Sequence, residues 1–222
     1  MDVIEKYADV LKQSSLFQGT DEKEIQSMLV CMSATEKHYA KGESIYRIGE
    51  QITKMGLLLE GSIHIQREDY WGNLSILNQI TPGNMIGEAY ALPNSTPIVN
   101  NVIATEASTI LFMDVKKLMT TCSSACVFHM KMIQNLLMVL AGKNRSFAQK
   151  LGHMSQRSTR DKLLSYLSEQ SMLAGSSEFD ISFNRQQLAD FLSVDRSAMS
   201  NELCKMRDEG ILKFQKNHFV LL

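Results

Sequence analysis

Charge of one sign, a long apolar run and a metal-binding spacing are what this sequence has least of, and each shortage excludes something. Lys and Arg together number 23 against 24 Asp and Glu, a formal net charge of -1. The whole molecule therefore has no basic field to draw in nucleic acid, and any such attraction must be local. No apolar stretch approaches a membrane span, and the opening residues, MDVIEKYADVL, carry acids where a signal peptide needs bases. A cytoplasmic protein with no membrane partner is expected. The four cysteines, Cys31, Cys122, Cys126 and Cys204, form no CxxC pair. The five histidines, His38, His64, His129, His153 and His218, form no HxH or HExxH. The spacing thus gives no support for a dedicated metal site, and in a reducing cytoplasm the thiols stay free. Cys122 and Cys126 would share a face of a helix. That leaves a metal or redox role open, but two more ligands at useful spacing are missing, and a buried free cysteine commonly serves as a small hydrophobe.

What is present is an ordinary globular composition, 44% hydrophobic and 21% charged, in 222 residues. This is enough chain for two modest domains or one large one. Three textures follow one another. Residues 1 to 30 have helical spacing, with Ile4, Tyr7, Leu11, Ile25 and Leu29 as apolar positions. From about 38 to 112 come short β-forming runs, SIYRIG, MGLLLEG, SIHIQ, LSILNQI and TILFM, punctuated by glycines at turn-like intervals. Gly72-Asn73 resembles a hairpin turn. Many short strands with frequent turns suggest a sandwich or jelly roll.

A long helical pattern then runs from about 114 to 154. Within it Ile133, Leu137, Leu140, Asn144, Phe147, Leu151 and Met154 recur at alternating steps of four and three, the rhythm of a coiled-coil seam. Asn144 is its one polar member, and a buried asparagine on such a seam can fix register and strand number. A helix buried against its own domain would use much the same residues, but the regularity and length favour a homodimer. RDKLLSYLSEQ is helical again, MLAGSSEFDIS reads as a loop, and GILKFQKNHFVLL reads as strand, tight turn at Lys216-Asn217, strand.

Between them lies NRQQLADFLSVDRSAMSNEL. Asn184 is placed to cap a helix from Arg185 to about Leu192, and Asp195 to cap a second. Leu188, Ala189 and Leu192 make one apolar face, and Met199, Leu203 and Met206 the face opposed to it. Ala189 supplies the small residue that two helices crossing at a wide angle need. This is helix-turn-helix spacing. Arg196, Ser197, Ser200, Asn201 and Lys205 are left outward, a set suited to base edges in the major groove of double-stranded promoter DNA. Arg185, Lys213 and Lys216 suit phosphates. A solvated polar face is the plain alternative. The following two-stranded wing and the preceding dimer helix make coincidence a poor account.

From about residue 16 onward the chain resembles the CRP/FNR family of bacterial transcription regulators, related to the catabolite activator protein. The resemblance rests on KGESIYRIGE, LLLEGSIHI, ITPGNMIGE, a long connecting helix and RQQLADFLSVDRSAMSNELCKMRDEGIL, in that order. It implies an α+β protein with an N-terminal double-stranded β-roll (jelly roll) effector domain over 1–118 and a dimerisation helix over 119–154. A C-terminal winged helix-turn-helix then follows over 155–222, which bends and binds a palindromic operator. Arg196 corresponds to the family's guanine-reading arginine. Ser197 and Asn201 stand where many members have a glutamate and a second arginine, so the half-site should differ from the common one. Arg185 aligns with a phosphate contact. RNA polymerase becomes a partner if the protein is an activator.

In members that bind cyclic nucleotides, a Gly-Glu pair holds the ribose and an Arg-Ser pair some ten residues on clamps the phosphate. Gly87-Glu88 is kept here, but Ile98 and Val99 occupy the clamp. An uncompensated buried charge costs on the order of several kcal/mol, so cyclic AMP is not expected as the effector. Three controls stay open. A neutral or aromatic small molecule could occupy the roll, with Arg145 and Ser146 bordering it and Arg145 meeting a carboxylate or phenolate. Haem is a second, though no residue stands out as an axial ligand, and the cysteines of cluster-bearing members are absent, which speaks against an iron-sulphur cluster. The third is no ligand, with control by expression or thiol oxidation. Glu88 reads equally well as a structural cap. On the resemblance, an effector would act by favouring one arrangement of a hinge near 154–158 that sets two recognition helices one DNA turn apart. The rival readings are a cupin-like metal-dependent enzyme, for which His64 stands alone on its strand, and an effector-binding regulatory module with a degenerate winged helix.

Overall fold

The computed structural model describes residues 3–68, 70–71, 74–119 and 127–222. The chain forms two compact units, Met1–Gly142 and Lys143–Leu222, which part inside the longest helix.

The first unit opens with α1 (Val3–Gln13), a single 3-10 turn (Ser15–Phe17) and α2 (Glu22–Cys31). Asp21 starts α2 by accepting from the Glu24 amide while Glu24 accepts from the Asp21 amide, a reciprocal cap that satisfies donors a helix start leaves bare. Eight strands follow: β1 (Thr35–Tyr39), β2 (Ser44–Tyr46), β3 (Lys54–Glu60), β4 (Ile63–Glu68), β5 (Leu74–Ile80), β6 (Met85–Ile86), β7 (Asn101–Ala104) and β8 (Ser108–Asp114). They form two antiparallel sheets, ordered β1-β8-β3-β6 and β2-β7-β4-β5. The expected roll is thus observed, with each β-forming run of the sequence on its own strand. In β3, Leu57, Leu58 and Leu59 are all buried, so this strand is covered on both faces. The tie from α1 is polar as well as apolar: the Tyr7 hydroxyl donates to Glu60 Oε2 at 3.0 Å. The expected Gly72-Asn73 turn lies outside the described residues, between strands β4 and β5 that pair antiparallel as a hairpin requires.

The sequence pattern expected one helical stretch over 114–154. Within it the described residues form α3 (Val115–Met119) and α4 (Val127–Met154). Residues 120–126, with Cys122 and Cys126, lie outside the described residues. Met132 and Leu136 of α4 are buried in the core of the first unit.

The second unit takes the last turns of α4, α5 (Thr159–Ala174), β9 (Glu178–Asp180), α6 (Arg185–Leu192), α7 (Arg196–Asp208), β10 (Leu212–Gln215) and β11 (His218–Leu221). Ser158 caps α5, and Gly175 ends it in the left-handed region at φ 63°, which costs glycine least. Here the sequence reading is corrected. The segment MLAGSSEFDIS is not all loop: its first three residues finish α5, and β9 pairs with β11, making the wing three-stranded in the order β10-β11-β9. Three residues carry too little alternation to signal a strand. Phe179 and Phe219, stacked with centroids 6.3 Å apart, hold it in place. His153, buried near the end of α4, meets Ser165 Oγ at 2.8 Å and Glu169 Oε2 at 2.6 Å, which fixes the last turn of α4 on α5.

Candidate nucleic-acid interface and effector site

Two local devices build the helix-turn-helix. Asn184 accepts from the Gln187 amide at 3.0 Å while Gln187 accepts from the Asn184 amide at 2.9 Å, starting α6 at Arg185. Ser193 then turns the chain in the left-handed region at φ 50°, and Asp195 Oδ1 accepts from the Ala198 amide at 2.8 Å to start α7. Leu188, Ala189 and Leu192 of α6 and Met199, Leu203 and Met206 of α7 are fully buried. Each large apolar side chain among them contributes roughly 1.5–3 kcal/mol of burial. These are the positions the sequence spacing selected.

The opposite side of α7 is open. Arg196, Ser197, Asn201 and Lys205 are exposed and Ser200 is half-buried. Lys205 lies 3.6 Å from Glu202. Among the described residues Arg196 has no ion pair or hydrogen-bonding side-chain partner, so its guanidinium can meet an incoming base without first breaking a contact. Lys213 and Lys216 are exposed on β10 and at the β10–β11 turn, where Lys216 takes φ 53° and the neighbouring Asn217 donates to the Ile181 carbonyl at 3.1 Å. Arg185 is differently placed. Its guanidinium stacks over Phe214 at 4.8 Å and Phe219 at 5.1 Å, its Nη2 is buried with no hydrogen bond among the described residues, and burial pushes its pKa down. That is the setting of a residue packing α6 onto the wing.

Sequence reasoning missed Arg160. From α5 it donates to Glu209 just past the end of α7, at 3.1 Å through Nη1 with a second contact through Nη2, and it lies 3.5 Å from Glu202 on α7 itself. It sets α7 against α5. Only its place two residues after the Ser158 cap hinted at α5, and nothing local hinted at its partners.

In the roll, Gly87 and Glu88 follow β6 directly. Gly87 sits at φ 72°, and a Cβ there would come within 2.8 Å of Ile52 and 2.9 Å of Tyr46, so glycine is required twice over. Tyr46 donates to the Lys54 carbonyl at 2.8 Å, and burial pushes its phenol far above the ordinary range, keeping it neutral. Glu88 is only 6% exposed. The expected clamp positions separate: Ile98 is 3% exposed, within the roll's core, whereas Val99 is 48% exposed. Ile98 is also fixed through its backbone, donating to the Glu50 carbonyl at 2.9 Å and accepting from the Gly49 amide at 2.8 Å. Arg145 and Ser146 are exposed on α4 within the second unit.

The expected seam of α4 is split by use. Ile133 and Leu140 are half-buried against the roll's own core. Leu137, Phe147 and Leu151 remain 60%, 63% and 66% exposed, with Asn144 exposed among them.

Residues 36–125 match the family model of the cyclic nucleotide-binding domain, and residues 161–222 match the Crp-like helix-turn-helix domain. Among solved structures, the chain is similar to the c-di-GMP responsive global regulator CLP of Xanthomonas campestris, at 16% identity over 90% of this chain and 99% of that one, TM-score 0.63. It is similar to CooA of Carboxydothermus hydrogenoformans at 17% identity over 94% of both chains, TM-score 0.63. It is similar to the catabolite activator protein of Thermus thermophilus at 20% identity over 94% of both chains, TM-score 0.55. At such identities the likeness speaks for the fold. No curated protein sequence matches the chain. Among the described residues no helix is long and apolar enough to cross a membrane. Roll and winged helix, matched in that order along one chain, carry the assignment: the protein belongs to the CRP/FNR family of transcription regulators.

Proposed function

We propose that this regulator binds a two-fold symmetric operator as a homodimer, reading each half-site through Arg196, Ser197, Ser200 and Asn201 of α7. The observation that carries the reading is the open polar face of α7, with Arg196 exposed and unengaged among the described residues. Arginine pairs bidentately with guanine, and asparagine with adenine, while serine accepts or donates to several edges. Lys205, Lys213 and Lys216 supply phosphate attraction locally, as a chain of net charge -1 requires. Leu137, Asn144, Phe147 and Leu151 form the self-association stripe on α4. A two-fold dimer presents two recognition helices to two half-sites, so operator symmetry follows from protein symmetry.

The roll's effector is not cyclic AMP. Ile98 is buried in apolar surroundings and Val99 faces outward, so neither position offers the cation a buried phosphate demands. A neutral or aromatic molecule needs no such cation. It can shift the regulator only by its difference in affinity between the two states.

The test is selection of bound sequences from a random duplex library with the full chain, at low and moderate salt. A two-fold symmetric consensus with half-sites one helical turn apart supports the reading. Recovery of no consensus, with binding no tighter than to bulk DNA, refutes it. Calorimetry with cyclic AMP should give no saturable heat.

A further inference from the structure

The chain brings one thiol and one imidazole together across 98 positions of sequence: Cys31 Sγ lies 3.5 Å from His129 Nε2. Cys31 is the last residue of α2, and His129 is in the first turn of α4. Both side chains are half-buried within the first unit, so an ion can reach them and lose part of its water there. No spacing motif announces the pair.

We propose that Cys31 and His129 are two ligands of a soft divalent metal ion of the zinc class, bridging the end of α2 and the start of α4. The separation is the argument's first support. With zinc–sulphur bonds of about 2.3 Å and zinc–nitrogen bonds of about 2.0–2.1 Å at a tetrahedral angle, the two ligand atoms stand about 3.6 Å apart. The observed pair already has that edge. Ligand chemistry is the second: thiolate and imidazole are the pair that soft and borderline cations favour over oxygen donors. In the metal-free protein the same distance suits a hydrogen bond between thiol and ring. Entry of the ion forms the metal–sulphur and metal–nitrogen bonds and releases the thiol proton to water, with no oxidation or reduction. Among the described residues no third histidine, cysteine, aspartate or glutamate joins the pair. The remaining positions fall to water. The site's protein ligands are Cys31 and His129 alone. The site stands independently of any DNA-binding role.

Reduced, chelator-stripped full-length protein is titrated with cobalt(II) chloride under argon. The expected result is one ion per chain with a thiolate-to-cobalt charge-transfer band, lost in Cys31→Ser, and at least tenfold weaker binding in His129→Gln. Zinc should displace the cobalt, and Cys204→Ser should behave as the parent. Native mass spectrometry of the unmutated protein gives a second reading that no folding defect can mimic: stoichiometric zinc uptake supports the site. Absence of uptake overturns it. So does a charge-transfer band that survives intact in Cys31→Ser and disappears only in Cys122→Ser or Cys126→Ser.

Discussion

Replacing Arg196 by alanine tests the proposed base contact in isolation, because among the described residues this side chain has no ion pair or hydrogen-bonded side-chain partner. It is exposed and, among the described residues, makes no ion pair. Its loss should therefore change folding stability by no more than about 0.5 kcal/mol, the usual range for a surface position without partners. All of the effect then falls on binding. A bidentate arginine–guanine pair is worth roughly 1–3 kcal/mol of discrimination at one base pair, which at 1.4 kcal/mol per factor of ten is about 5- to 150-fold. The assay is fluorescence anisotropy on the selected operator and on its single-base variants, at one fixed salt concentration. The parent should prefer one base at a single position of each half-site by that factor, and Arg196→Ala should erase the preference there while keeping the others. A uniform loss across all variants would make Arg196 a phosphate contact. An unchanged preference at every position would refute the assignment outright.

Lys213→Ala should weaken binding evenly across sequences and reduce the salt slope by about 0.9, since one phosphate is released. Arg185→Ala should lower stability by about 1–2 kcal/mol, from two ring contacts and lost packing, with the salt slope unchanged; a normal melting temperature with a smaller slope would make it a phosphate ligand instead. Phe147→Lys with Leu151→Lys should shift the protein from dimer to monomer in analytical ultracentrifugation and abolish binding to paired half-sites while sparing the fold. Ile98→Arg should not create a cyclic AMP site, because the position lies in the core and a buried unpaired charge costs on the order of several kcal/mol. Circular dichroism should show unfolding or a sharply lowered melting point, and saturable cyclic AMP binding by a well-folded variant would contradict this.

The sequence by itself determined the helix-turn-helix almost to the residue. Asn184 and Asp195 act on amides three positions away, and Leu188, Ala189, Leu192, Met199, Leu203 and Met206 recur at helical spacing, so both signals are local. Short β-forming runs bounded by turn residues marked strands one at a time and suggested a sandwich or jelly roll, while the resemblance implied the roll. Tertiary structure alone decided the rest. Strand β9 is too short to signal itself and exists through its pairing with β11, some forty positions on. The stacking of Arg185 over Phe214 and Phe219 had no local signal, and Arg160 found Glu209 across 49 positions. Ile98 and Val99 are neighbours of one chemical type, yet one is in the core and the other faces outward, because backbone bonds to Gly49 and Glu50 fix which way each points. The contact of Cys31 with His129 is the extreme case, as no periodicity or motif connects residues that meet only after two sheets have closed between them in the chain.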